Sequence, residues 1–134
     1  MLSPSGLGDR SEPGANAFAI VELRPDDRTV IVSCEGELDL STAPQLKWRL
    51  VDALEGGRTA IVVDLGGVTF MDSTALGVLV GVRRSLDVGA RLGVACTNPA
   101  VLNIFQVSGL DGAFDMFATR DEALAHVRGE GPRA

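Results

Sequence analysis

The chain has no tyrosine, one tryptophan, one histidine and two cysteines among its 134 residues. Each scarcity removes a class of chemistry. His126, near the C-terminal end, is the only imidazole available as a catalytic base. Ser73 lies in Met-Asp-Ser-Thr-Ala rather than in a Gly-x-Ser-x-Gly nucleophile elbow. No Cys-x-x-Cys pair, histidine cluster or metal-ligand spacing occurs, and no Gly-x-x-x-x-Gly-Lys loop is present to cradle a nucleotide. The expectation is a non-enzyme with no catalytic residues, no metal site and no cofactor. Cys34 and Cys96 lie far apart inside apolar, strand-like runs. They are expected to be buried free thiols behaving as small hydrophobes in a reducing cytosol. A redox-sensing disulfide between them is the alternative.

Basic charge is also scarce. Twelve Lys and Arg face eighteen Asp and Glu, a net charge of −6. The basic runs, Lys47-Trp48-Arg49 and Arg83-Arg84, are short. Direct binding to nucleic acid or to an anionic membrane surface needs clustered Lys and Arg, so neither is expected. The opening MLSPSGLGDRSEPG lacks the basic start and apolar core of a secretion signal, which gives a cytoplasmic expectation. One uncharged run, Leu92 to Leu110, approaches the length of a membrane span. Asn98-Pro99, Asn103, Gln106 and Gly109 divide it into strand, turn and helix.

What is present suits one globular domain: 46% hydrophobic residues in a chain of single-core length. Residues 1–16 are rich in Ser, Pro and Gly without periodicity and read as a disordered tail. A domain is expected over 17–128, with a short C-terminal tail at 129–134. Strands are expected at Phe18–Leu23 and Thr29–Cys34, joined as a hairpin through Arg24–Arg28. Two further apolar runs, RTAIVVDL and RLGVAC, read as buried strands, and AFDMFA reads as a last strand. Helices are expected over about 43–55 with Ser41 or Thr42 as N-cap, over 73–88, from Pro99 after Asn98, and over 121–128. Strands alternating with helices give an α/β fold with a mixed, mostly parallel sheet of about five strands, opened by a hairpin and packed with about four helices.

The most polar point in the apolar middle of the chain is Asp72-Ser73-Thr74, where strand gives way to helix. A serine there can cap the helix. It can also carry a phosphate that the helix N–H groups would receive. Beyond it, Ala75, Leu76, Leu79, Val82 and Leu86 fall on one helical face, and Thr74, Gly77, Val78, Gly81, Arg84 and Ser85 on the opposite one. Two mid-helix glycines cost about 1 kcal/mol each relative to alanine. They admit either a partner's backbone or a loop of the same domain. Trp48 points away from the apolar face of its helix, either as an interface anchor or lying flat on its own surface.

GELDLSTAP (36–44), VTFMDSTALGVLV (68–80) and NPAVLNIFQVSGL (98–110) occur in an order and spacing that resemble bacterial anti-sigma factor antagonists, which are single STAS domains. The resemblance runs from about Phe18 to Val127. It implies an unmodified protein that binds an anti-sigma factor, itself a serine kinase, and thereby releases a sigma factor for transcription. The kinase phosphorylates a serine after the Asp of an Asp-Ser-Ser/Thr-Gly-Leu-Gly motif and ends binding; a serine phosphatase restores it. That serine matches Ser73. The Asp of the Gly-Glu-Leu-Asp motif matches Asp39, which would border the switch surface with Asp72, Thr74, Gly77, Val78 and Gly81. The motif's first glycine is Ala75 here. The alternative is a STAS scaffold, or a lipid-transport or stress-complex subunit, that holds its partner without phosphorylation.

Overall fold

The computed structural model describes residues 17–130. The expected N-terminal tail, 1–16, and residues 131–134 lie outside the described residues. Five strands, β1 (Ala19–Asp26), β2 (Thr29–Leu38), β3 (Ala60–Met71), β4 (Arg91–Ala95) and β5 (Asp115–Phe117), form one sheet in chain order. β1 and β2 are an antiparallel hairpin, and every later pairing is parallel. The crossovers carry α1 (Ala43–Glu55), α2 (Ser73–Arg84) and α3 (Pro99–Val107), and α4 (Arg120–Val127) follows β5. The α/β class, the opening hairpin, the five strands and the four helices agree with the sequence reading.

The continuous apolar runs explain the layering. Val30 to Val32 and Ile61 to Val63 are buried on both faces, as parallel strands between helices require. One set of alternate residues, with Val30, Val32, Ile61 and Val63, packs against the apolar stripes of α1, α2 and α3. The other set, with Ile31 and Val62, packs against Ala123 and Val127 of α4. Phe105 of α3 is fully buried, with its ring edge-on to Phe114 at 5.5 Å between centroids.

Four element ends differ clearly from expectation. β1 continues to Asp26, whose Oδ1 accepts the Arg28 N–H at 2.9 Å and tightens the hairpin turn. β2 and β3 continue past Cys34 and Leu65 to Leu38 and Met71. Glycines hid that extension, because they weaken the appearance of a strand. The pairing absorbs them through two register shifts, between Ser33 and Glu35 and between Gly36 and Glu37. Gly36 has φ +97°, and a Cβ there would collide with the Ala17 carbonyl oxygen. At Gly67 a Cβ would stand 2.7 Å from Glu35 Cγ. α2 stops at Arg84 rather than at Val88, because the Ser85 hydroxyl donates back to the Gly81 carbonyl at 3.0 Å and Gly89 turns the chain at φ +90°.

The disulfide alternative fails on geometry. Ser33, Asp64 and Ala95 lie in register across β2, β3 and β4, so Cys34 and Cys96, each one residue further on, flank the central strand. Two strand spacings are roughly 9–10 Å, beyond the Cα separation of about 7 Å that a disulfide tolerates. Both are buried free thiols. Burial, with the nearby Asp64 carboxylate adding to it, pushes the Cys34 thiol up to about 12. Burial also raises Cys96, against a hydrogen bond from the Asn98 backbone.

Two outcomes follow. Native protein at neutral pH should resist dithionitrobenzoate at both thiols and react with it on unfolding in urea. The unfolded Cys34 thiol ionises near 9.0 and the folded one near 12, so its contribution to stability is intact below pH 9 and is lost as pH rises between those values. Phe105→Ala should cost about 3–5 kcal/mol in urea unfolding followed by circular dichroism.

Candidate functional site

Parallel pairing brings the C-terminal ends of β2, β3 and β4 to one edge of the sheet, where the chain enters α1, α2 and α3. Only Asp72 separates β3 from α2. Its extended backbone (φ −107°, ψ 179°) makes it the N-cap of α2: Oδ1 accepts the Thr74 N–H at 2.9 Å and the Ala75 N–H at 3.1 Å. The capping use of the serine oxygen considered from the sequence therefore belongs to Asp72. Ser73 is already the first helical residue, so its hydroxyl is not needed to cap and the residue is exposed. The N–H groups expected to receive a phosphate are consequently already held by a carboxylate.

The second oxygen of that carboxylate reaches a different element. Asp72 Oδ2 accepts the Leu40 N–H at 3.1 Å, and the Asp72 N–H donates to the Leu38 carbonyl at 3.1 Å. The β2–α1 connection is thus joined to the start of α2. Within that connection Asp39 Oδ1 accepts the Ser41 N–H at 2.9 Å, the Ser41 hydroxyl at 2.8 Å and the Thr42 N–H at 3.2 Å. The Ser41 hydroxyl bond is the largest influence holding the Asp39 carboxyl below its ordinary range; backbone N–H groups add to it and burial opposes it. Asp39 is therefore engaged in its own turn. Thr42 is the N-cap residue of α1, but its side chain makes no capping bond. Instead its hydroxyl donates to the Glu37 carbonyl at 2.8 Å and accepts the Asp39 N–H at 2.8 Å.

α2 divides as its sequence periodicity requires. Ala75, Leu76, Leu79 and Val82 are buried, Thr74, Gly77, Gly81, Arg84 and Ser85 are exposed, and Val78 is half-buried. Leu86, expected on the buried face of the helix, lies past its end but still packs against the core. A Cβ built on Gly77 or Gly81 meets nothing within 4 Å, so no loop among the described residues occupies that face. The face borders a groove of about 430 Å³, with Lys47, Val51 and Leu54 of α1 across from Thr74, Gly77 and Gly81. Trp48, on the same helix as Lys47, is 63% exposed.

Two residues of this edge were missed from the sequence. Leu40 is 73% exposed beside the Asp72 carboxylate, and Phe70 is 48% exposed three residues before Ser73. Leu40 stood in the sequence as one apolar residue of a polar loop. Phe70 lay beyond the expected end of its strand. Recognising that β3 extends to Met71 would have set Phe70 outward, next to buried Met71.

A larger hollow, about 590 Å³, opens at the opposite end of the sheet between Asp26, Arg28, Arg91 and Arg128. Within it Arg128 pairs with Asp26 at 2.9 Å, and Arg91 donates to the His126 carbonyl at 3.1 Å. Among the described residues, no three His, Cys, Asp or Glu side chains are grouped to hold a metal ion. No helix there is long and apolar enough to cross a membrane.

The STAS domain family model matches residues 21–123. An anti-sigma F factor antagonist of Lysinibacillus sphaericus is 36% identical over 103 residues, covering 75% of this chain and 87% of that protein. The crystal structure of an anti-sigma factor antagonist from Mycobacterium paratuberculosis superposes with TM-score 0.79 at 30% identity, over 88% of this chain and 98% of the other. The Bacillus cell fate determinant SpoIIAA, in its phosphorylated form, superposes with TM-score 0.65 at 32% identity, over 82% of this chain and all of the other. Sequence and fold thus agree over most of the chain with proteins of one kind: the chain belongs to the STAS-domain family of anti-sigma factor antagonists.

Proposed function

We propose that this protein is an anti-sigma factor antagonist that binds an anti-sigma factor with serine kinase activity, frees a sigma factor, and is switched off by phosphorylation of Ser73. The observation that carries this reading is an exposed Ser73 that its own helix does not need as a cap, beside an open face at Gly77 and Gly81. The naming of relatives as antagonists and the phosphorylated form of a structural neighbour support it. Such an exchange takes place where ATP and RNA polymerase are, in the cytoplasm, and a serine phosphatase reverses it.

In the modification step the Ser73 Oγ attacks the γ-phosphorus of ATP. The Oγ–P bond forms as the bond to ADP breaks, and the hydroxyl proton passes to the kinase. The product adds about −1.5 to −2 charge next to the Asp72 carboxylate. At about 4 Å each pair of unit charges costs about 1 kcal/mol in water, and more once a partner excludes solvent. The departure at Ala75 does not alter the docking face, because that side chain is fully buried. It makes the first turn of α2 a better helix and leaves the surface around Ser73 unchanged.

The open glycine face gives binding its shape. A Cβ at Gly81 would meet nothing of the domain within 4 Å at the edge of the groove, so fold and docking can be separated by mutation. Gly81→Leu should keep or raise the melting temperature, since leucine is a better helix former than glycine. The same change should weaken capture of the anti-sigma factor at least about tenfold; undiminished capture would remove this face from the interface.

The switch is tested with the partner kinase and ATP. Wild-type protein should take label on Ser73, located by mass spectrometry, and Ser73→Ala should take none. Persistent label in Ser73→Ala would end the site assignment. Partner occupancy that does not respond to ATP in a pull-down would favour the constitutive scaffold instead.

A further inference from the structure

The two oxygens of Asp72 serve two separate elements. Oδ1 holds the Thr74 and Ala75 N–H groups of α2, and Oδ2 holds the Leu40 N–H, 32 residues earlier in the chain. Leu40 is 73% exposed, so little side-chain packing fixes its place. The bonds of Asp39 to Ser41 and Thr42 shape the turn internally but do not attach it to α2. Attachment at Leu40 comes through the Asp72 carboxylate. Because a carboxylate is planar and rigid, its two oxygens move together.

Resting on the reading of Ser73 as a phospho-acceptor, we infer that Asp72 is a positioning residue that couples the state of Ser73 to the Leu40 loop. Phosphate on Ser73 displaces the Asp72 carboxylate from the N–H groups of α2, and the Leu40 N–H is released with it. A phosphate at the first helical position has the N–H groups of the next two residues as its nearest donors. Those are the two donors that Asp72 Oδ1 occupies. Two anions compete for them, and the phosphate brings the larger charge and three acceptor oxygens. The carboxylate turns out toward solvent, and Oδ2 leaves Leu40. The exposed apolar residue Leu40, whose N–H is tied to Asp72 next to Ser73 in the unmodified protein, then loses its fixed position. A partner would have to order it again on binding.

The experiment uses the full chain with phosphoserine installed at position 73 during synthesis, compared with unmodified protein by amide hydrogen exchange and nitrogen-15 NMR. Exchange at the Leu40 amide should accelerate about tenfold. The Thr74 and Ala75 amide protons should move downfield as the phosphate takes them. Unmodified Asp72→Asn separates the tie from the cap. Its single carbonyl oxygen can still serve α2, while its NH2 group faces the Leu40 N–H and cannot accept from it. Leu40 exchange should therefore accelerate in Asp72→Asn with protection of the α2 amides kept within about twofold.

A Leu40 rate unchanged by phosphoserine overturns the coupling. Asp72→Asn that loosens α2 as much as Leu40 also overturns it, by reducing Asp72 to a cap. Neither measurement involves a partner. A kinase that ignores Ser73 would end the acceptor reading in its own assay, while the exchange data would decide the coupling independently.

Discussion

The Asp72 carboxylate, accepting backbone N–H groups from α2 on one oxygen and from Leu40 on the other, is the interaction on which the candidate site depends. Its position follows from a connection only one residue long between β3 and α2. A helix that starts so abruptly leaves its first N–H groups without intrahelical partners, and a short acidic side chain at the N-cap is among the best ways to satisfy them. Placing Asp at the cap makes the next residue the first of the helix. Ser73 is exposed with its hydroxyl uncommitted to the cap because its neighbour already performs that task. The availability of the serine is thus a consequence of the cap.

The sheet determines what gathers around this point. Parallel strands must all end at the same edge, so the starts of α1, α2 and α3 are neighbours whatever their separation in sequence. Asn98 repeats the logic of Asp72 on the next crossover. Its Oδ1 caps α3 through the Ala100 N–H at 2.9 Å, and its Nδ2 donates to the Val68 carbonyl of β3 at 3.1 Å. Each cap therefore holds its own helix and also grips a neighbouring element. An edge built from such two-ended caps is stiff through polar bonds, since much of its apolar surface, at Leu40 and Phe70, is left to solvent. Apolar groups held in place but uncovered suit reversible docking, where a partner gains their burial without having to order them first.

The layered fold was legible in the sequence because its strands are nearly uninterrupted apolar runs and its helices carry clear stripes. Asn98-Pro99 marked the start of α3, and Asp72-Ser73-Thr74 marked the junction. The sequence did not reveal which residue of the junction caps. Asp and Ser are nearly equal as N-caps, and the choice rests on whether backbone φ and ψ leave the strand at residue 72 or 73. It also did not reveal the ends of β2 and β3, where glycines suggest a loop and long-range pairing with bulges overrides them. Leu40 was invisible for a related reason. Its tie to Asp72 is a contact across 32 residues, which no local pattern encodes.

If Ser73 is the phospho-acceptor proposed above, net charge is a poor candidate for the lever of the switch. The chain already carries −6, and a phosphate adds about −1.5 to −2. At physiological salt, exposed charges more than about 8 Å apart are largely screened from each other. A partner would therefore meet much the same long-range field before and after such a modification. On the proposed reading, what would change strongly is the first few ångströms around Ser73. There a dianion would have to be desolvated beside Asp72, and the donors that hold the carboxylate in place are contested. A local mechanism also fits the construction of the site. Gly77 and Gly81 let another surface come close, and close approach is the condition under which one misplaced charge or one released loop outweighs the rest of the interface.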